Sequence, residues 1–184
     1  HTANPNPGNG PALMSNDQYG LAQMRQHMKE NWQDAVTPAG DLVTFTARLR
    51  DLFFTNDRPA IAAHELTTAE FDVLVTLRKM PSPYELTPTA LRKSSLITSG
   101  GLTKVLHLLE DKQLVERTID RTDRRIKRVK LTQAGVQKAE QSLTAVLAMD
   151  AELLNQVISK QDLENLNALL FKLLVGVEAQ VQRS

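Results

Sequence analysis

Three helix starts fall between Leu66 and Gly101, and they constrain the fold more than any other feature of the chain. Thr67 is followed three residues later by Glu70, with Leu66 and Phe71 placed to staple the turn. This predicts a helix over Thr68–Lys79, ended by Pro81-Ser82-Pro83. Thr87-Pro88 pairs a capping hydroxyl with a proline suited to the first helical position, so a short helix runs to about Lys93. Thr98-Ser99-Gly100-Gly101 then opens a longer helix. Its inner face is Leu102, Val105, Leu106 and Leu109, and Thr103, Lys104 and His107 fall largely opposite. After Asp111-Lys112-Gln113 the rhythm changes. Leu114–Ile119 and Ile126–Leu131 read as strands of a hairpin with a tip at Asp120–Arg125. Thr132 caps the next helix, which runs through Val157.

The charge along this segment is uneven. The chain carries 22 Lys plus Arg against 21 Asp plus Glu, yet Arg117–Lys130 holds seven of the basic residues and only two acids. A local positive patch on a near-neutral molecule is the footprint expected of a phosphate-backbone partner. Helix, short helix, turn, longer helix and basic hairpin is the layout of a winged helix-turn-helix, mainly α with a small β-hairpin. In that layout the second helix of the pair enters the major groove of double-stranded DNA. Thr98, Ser99, Gly100, Gly101, Thr103, Lys104 and His107 are its candidate contacts. The small residues let the backbone approach, and the free N–H groups attract phosphate. The hairpin tip suits the adjacent minor groove, with Arg121, Arg124, Arg125 and Lys127 as candidate contacts. Asp123 beside Arg125 is placed to hold the guanidinium extended. A basic hairpin also has a plainer use, because Lys and Arg protect strand edges from aggregation.

The flanks read as helices. Leu21, Met24, Met28 and Trp32 mark one face over Gln18–Ala35, and Pro38 and Gly40 interrupt it. A second helix follows, with Leu42, Phe45, Leu49, Leu52 and Phe53 on its buried side. Asn56-Asp57-Arg58-Pro59 is expected as a turn and Pro59–His64 as a short helix. The last helix carries Leu163, Leu166, Leu169, Leu170, Leu173 and Val177. Residues 1–15, rich in Pro, Gly and Asn, are expected to form a flexible tail. With no cysteine, disulfides and thiolate metal sites are excluded. No apolar run approaches a membrane span, so a cytoplasmic protein without membrane contact is the default. No phosphate-loop, metalloprotease, nucleophile-elbow or dinucleotide signature appears, and the four histidines lack metal spacing, so neither an enzyme nor a cofactor is expected. Glu110-Asp111 reads as a solvated helix end. The alternative function is a helical interaction module whose basic wing binds a protein partner.

Leu66–Gly135 resembles the core of the MarR family, the multiple-antibiotic-resistance regulators. The matching stretches are LTTAEFDVLVTL, ELTPTALRKSSLITSGGLTKVLHLLEDKQLVER and DRTDRRIKRVKLTQAG, with the Asp-Arg-Arg wing and Leu-Thr-x-x-Gly as the most specific parts. The resemblance implies a homodimer through N- and C-terminal helices. It implies dimerisation helices over 16–58 and 136–184 around a DNA-binding domain over 59–135. It also implies a repressor on a pseudo-palindromic operator, released by a small ligand. Trp32, the Phe71–Leu74 segment and Thr98–Leu109 resemble the urate-responsive, PecS-like branch. The effector site of that branch carries over to Trp32, Asp72, Lys104 and Arg117. Lys104 stands where the branch has Arg, and a point charge does not supply the two-pronged grip of guanidinium. The implied ligand is therefore a small aromatic anion, either urate or an aromatic carboxylate. Each of the four also has a plainer role open to it: Trp32 in a core, Asp72 in solvent, Lys104 on phosphate, Arg117 on a nearby carboxylate.

Overall fold

The computed structural model describes residues 20–94, 99–119 and 127–181, with the backbone alone at 99 and 100. In chain order it forms α1 (Leu21–Asn31), one 3-10 turn (Gln33–Ala35), α2 (Pro38–Ala63), α3 (Thr68–Arg78), β1 (Glu85–Leu86), α4 (Pro88–Ser94), α5 (Ser99–Asp111), β2 (Val115–Ile119), β3 (Lys127–Leu131), α6 (Gln133–Val157) and α7 (Lys160–Val181). The strands make one antiparallel sheet in the order β1-β3-β2. The expected class, mainly α with a small β element in a winged helix-turn-helix layout, is the observed one. The chain divides into two compact units, one through Asp51 and one from Leu52 onward.

In the first unit, α1 is tied to the start of α2 by a forked ion pair. Arg25 Nε lies 3.1 Å from both Asp41 oxygens and a terminal nitrogen lies 2.7 Å from Oδ2. The Arg25 hydrogen bonds hold the Asp41 carboxyl below its ordinary range. Thr37 accepts the Gly40 N–H at 3.1 Å, and Pro38 and Gly40 open α2, whereas α1 has already ended at Asn31.

The second unit is organised around α3, which packs against α4, α5, α6 and β3. Its start is the expected capping box. The Glu70 N–H donates to Thr67 Oγ1 at 3.2 Å, and the Thr67 N–H donates to Glu70 Oε2 at 2.7 Å. Glu70 is only 1% exposed, and its other oxygen takes Lys112 Nζ at 2.6 Å. Burial opposes the charge, but Lys112 and Thr67 outweigh it and hold the carboxyl below the usual range. The core joins Ile61, Val73, Leu74, Leu77, Leu91, Leu109, Val129 and Val146, among others. Thr132 closes the unit. Its hydroxyl accepts the Gly135 N–H at 3.0 Å and donates to the Gln113 carbonyl at 2.8 Å. Its N–H reaches the Leu114 carbonyl at 3.1 Å. A Cβ on Gly135 would collide with that same Leu114 carbonyl.

Three expectations are corrected. The turn at Asn56–Pro59 is absent, because α2 runs unbroken through Pro59 to Ala63. Proline forfeits one hydrogen bond in a helix interior. Burial of Ala60 and Ile61 immediately after it keeps the last turns in register with the core. Strand β1 was not expected. Its pairs, Glu85 with Lys130 and Leu86 with Val129, join segments over forty residues apart that share no local pattern. The apolar side of α2 is not buried within the chain: Leu42, Leu49 and Leu52 are exposed, and Phe45 and Phe53 are half-buried. Likewise α7 buries none of its 22 residues. Periodicity marks an apolar face without saying what covers it.

Asp57 on α2 faces Asp150 on α6, and Asn56 Nδ2 reaches Asp150 Oδ1 at 3.4 Å. One Asp57 oxygen is buried with no hydrogen-bond partner among the described residues. Burial, and then the neighbouring Asp150 carboxyl, push Asp57 up to about 6. The folded chain therefore keeps a proton that the unfolded chain gives up near its ordinary value of about 4. That contribution to stability is full below the ordinary value and is lost as pH rises through about 6. The melting-temperature advantage of Asp57→Asn over wild type should accordingly widen as pH is raised from about 4 to about 7; a gap that is flat with pH would refute the buried proton. Gly135→Ala should cost about 3 kcal/mol in denaturant melts, since the Leu114 backbone has to move; a cost below about 0.5 kcal/mol would show that the junction yields easily.

Candidate nucleic-acid interface

Helix α5 carries the candidate contacts. Leu102, Val105, Leu106 and Leu109 are all buried, as their spacing predicts. That fixes the rotation of the helix and leaves Thr103, Lys104 and His107 on its open side, His107 with a 64% exposed side chain. The helix begins at Ser99, so the first-turn N–H groups of Ser99, Gly100 and Gly101 have no carbonyl within the helix to bond. Thr98 lies outside the described residues. Helix α4, with Thr87 accepting the Ala90 N–H at 3.1 Å and Leu91 fully buried, precedes α5 and packs on the same α3.

The wing follows. β2 and β3 pair from Val115–Leu131 to Ile119–Lys127. The basic residues of this hairpin sort into two groups. At its base each cation meets a carboxylate. Arg117 Nε lies 2.8 Å from Glu110 Oε1, Lys130 Nζ 3.2 Å from Glu116 Oε1, and Arg128 Nε 3.8 Å from Glu85 Oε1. Lys127 is exposed at the last pair before the tip, and no carboxylate among the described residues reaches it. Arg121, Asp123, Arg124 and Arg125 lie outside the described residues.

Glu110 is a correction. It is a half-buried ion-pair partner, not a solvated helix end. Its Oε2 also lies 3.6 Å from His107 Nδ1, an ion-pair separation too long for a hydrogen bond. Glu110 and Arg117 sit seven residues apart across a helix end and a strand start, so neither helical nor strand spacing flags them. Of the expected effector residues, Asp72 is half-buried on α3, Lys104 is exposed on α5 and Arg117 is held by Glu110 on β2. Trp32 ends α1 in the first unit, 69% exposed, so within its own unit it is not a core residue. Among the described residues no cluster of three His, Asp or Glu is placed to hold a metal. None of the described helices is long and apolar enough to cross a membrane.

An outward polar face on the second helix of the α4–α5 pair, beside a three-stranded basic wing, defines a DNA-binding winged helix-turn-helix protein of transcription regulation. A MarR family model matches residues 64–126. The reduced form of MarR from E. coli is 30% identical, with a TM-score of 0.60 over 76% of this chain and 98% of that one. The transcriptional regulator PecS of Dickeya dadantii is 28% identical over 107 residues, 58% of this chain and 64% of PecS. NadR, solved in complex with 4-hydroxyphenylacetate, shares the fold with a TM-score of 0.61 at 22% identity, over 75% of this chain and 95% of that one. The chain belongs to the MarR family of transcriptional regulators.

Thr103, with a short hydroxyl on the open side of α5, is suited to a base edge. Thr103→Ala should cost about 1–3 kcal/mol on a preferred duplex and much less on random DNA, measured by fluorescence anisotropy at fixed salt. Equal losses on the two duplexes would remove Thr103 from base reading.

Proposed function

We propose that the protein is a repressor that grips a pseudo-palindromic operator as a homodimer and lets go when a small aromatic anion binds. The observation that carries the DNA reading is α5, whose apolar face is sunk in the core while Thr103, Lys104 and His107 remain open. The wing supports it. Its basal cations are neutralised within the fold, and the charge assigned to phosphate is that of exposed Lys127 and, from the sequence, of the arginines at 121, 124 and 125. Asp123 is assigned to brace the Arg125 guanidinium.

The dimer is supported by exposed apolar side chains that a lone chain leaves wet. Leu166, Leu169, Leu173 and Val177 recur along α7, and Leu42, Leu49 and Leu52 along α2. Such faces mark contact surfaces. The flanking helices, 16–58 and 136–184, are therefore assigned to dimerisation, around a reading head at 59–135. Two such heads would present their α5 helices about 34 Å apart, one turn of duplex.

The ligand is assigned to Trp32, Asp72, Lys104 and Arg117: a ring for stacking, two cations for an anion and a carboxylate that the anion repels. Likeness to PecS supports the branch, and the aromatic acid bound to NadR supports the ligand class. Lys104 favours a simple carboxylate over a ligand that needs a guanidinium fork. Work on chromosomal DNA places the protein in the cytoplasm, and no enzymatic role is assigned.

The test is anisotropy with the DNA upstream of the protein's own gene. Affinity should fall steeply and log-linearly with salt through counterion release, and should fall again when 4-hydroxyphenylacetate or urate is added. Arg125→Ala should lose about 1–3 kcal/mol at fixed salt. Salt-indifferent binding, or none, would favour a wing that docks a protein.

A further inference from the structure

The carboxylate of Glu110 has no place in a simple DNA-binding surface. It sits on α5, three residues beyond exposed His107 and 3.6 Å from its Nδ1, at the edge of the face assigned to DNA. A negative charge there repels the ligand the helix is built to meet. The structure shows how the repulsion is suppressed. Arg117, reaching across from β2, sets its Nε 2.8 Å from Glu110 Oε1 and neutralises it. Both side chains keep contact with solvent, Arg117 at 38% and Glu110 at 26% exposure, so the pair is open to exchange rather than locked in the core.

We propose that Glu110 is the charge that converts anion binding into DNA release. In the DNA-binding state Arg117 masks it. An aromatic anion draws the Arg117 guanidinium to itself, and Glu110 is left as a bare carboxylate on the recognition helix. The inference rests on the assignment of Arg117 to the ligand site, and it adds the residue through which occupancy reaches the DNA. No chain of packing shifts is needed, because one guanidinium has two rival anionic partners. Glu110 is a positioning residue here: it touches neither base nor ligand, and acts through the arginine it shares with the anion. Two consequences follow from linkage. The carboxylate that competes for Arg117 weakens the anion's hold, and a chain without that carboxylate loses most of the coupling between the two ligands.

A charge cycle on the full-length protein tests this with the fragment upstream of its own gene. Arg117→Gln should mimic the ligand-bound state, lowering DNA affinity several-fold with no anion present. Glu110→Gln should raise affinity above wild type, and adding it to Arg117→Gln should recover what the single change lost. Arg117→Lys, which keeps a masking charge, should lose less than Arg117→Gln. A merely structural ion pair gives the opposite pattern, in which both single neutralisations weaken DNA binding and the double variant recovers nothing. That result overturns the proposal, as does a Glu110→Gln protein released by anion as readily as wild type. The second arm uses 4-hydroxyphenylacetate and urate. Glu110→Gln should bind the effective probe more tightly, yet its DNA affinity should respond to it several-fold less. If neither probe binds wild type while the DNA-only cycle behaves as expected, the ligand assignment fails and the anion step with it, but the masking of Glu110 by Arg117 stands. If a probe binds and the cycle fails, the ligand assignment survives and Glu110 is not its messenger.

Discussion

One buried carboxylate fixes the geometry on which the reading head depends. Glu70 closes the capping box of α3 and, with its other oxygen, holds Lys112 at 2.6 Å just past the end of α5. The same ammonium donates to the Glu65 carbonyl at 2.9 Å, at the corner between α2 and α3. One ion pair thus sets where α3 begins and where α5 ends. A carboxylate so deeply buried is tolerable only because it is paired and hydrogen-bonded on both oxygens. If Lys112 were removed, an uncompensated charge would lie inside the core, and the end of α5 would lose its tie to the start of α3.

The parts of this architecture that were legible in the sequence are those whose physics is local. Thr67, Thr87 and Thr132 each place a hydroxyl three residues ahead of the amide it accepts, that of Glu70, Ala90 and Gly135, and each cap stands where the sequence put it. The inner face of α5 was equally plain, because four apolar residues at helical spacing admit one rotation. The departures are non-local. Pro59 is a turn signal in isolation, and the burial of Ala60 and Ile61 overrides it. β1 exists only because β3 lies beside it. At the candidate site the open side of α5 was readable, but the Arg117–Glu110 pair was not, since its members meet across a helix-to-strand corner with no periodicity to announce it.

The exposed apolar faces bear on stability as well as function. α7 is a 22-residue helix with no fully buried residue, and helices in proteins draw most of their stability from packing of an apolar face. Leu163 and Leu170 are half-buried, while Leu166, Leu169, Leu173 and Leu174 stay exposed. The helix therefore has less packing within the chain to draw on than α3 or α5 does.

The third strand has a mechanical meaning. β1 pairs with β3 at Val129 and Lys130, and its Glu85 also lies 3.8 Å from Arg128, so those three residues are held from both sides, whereas Lys127 is paired with β2 alone. A two-residue strand thus acts as the fulcrum of a lever. A load applied at Lys127 is therefore met first at Arg128, before it reaches the helices behind the sheet.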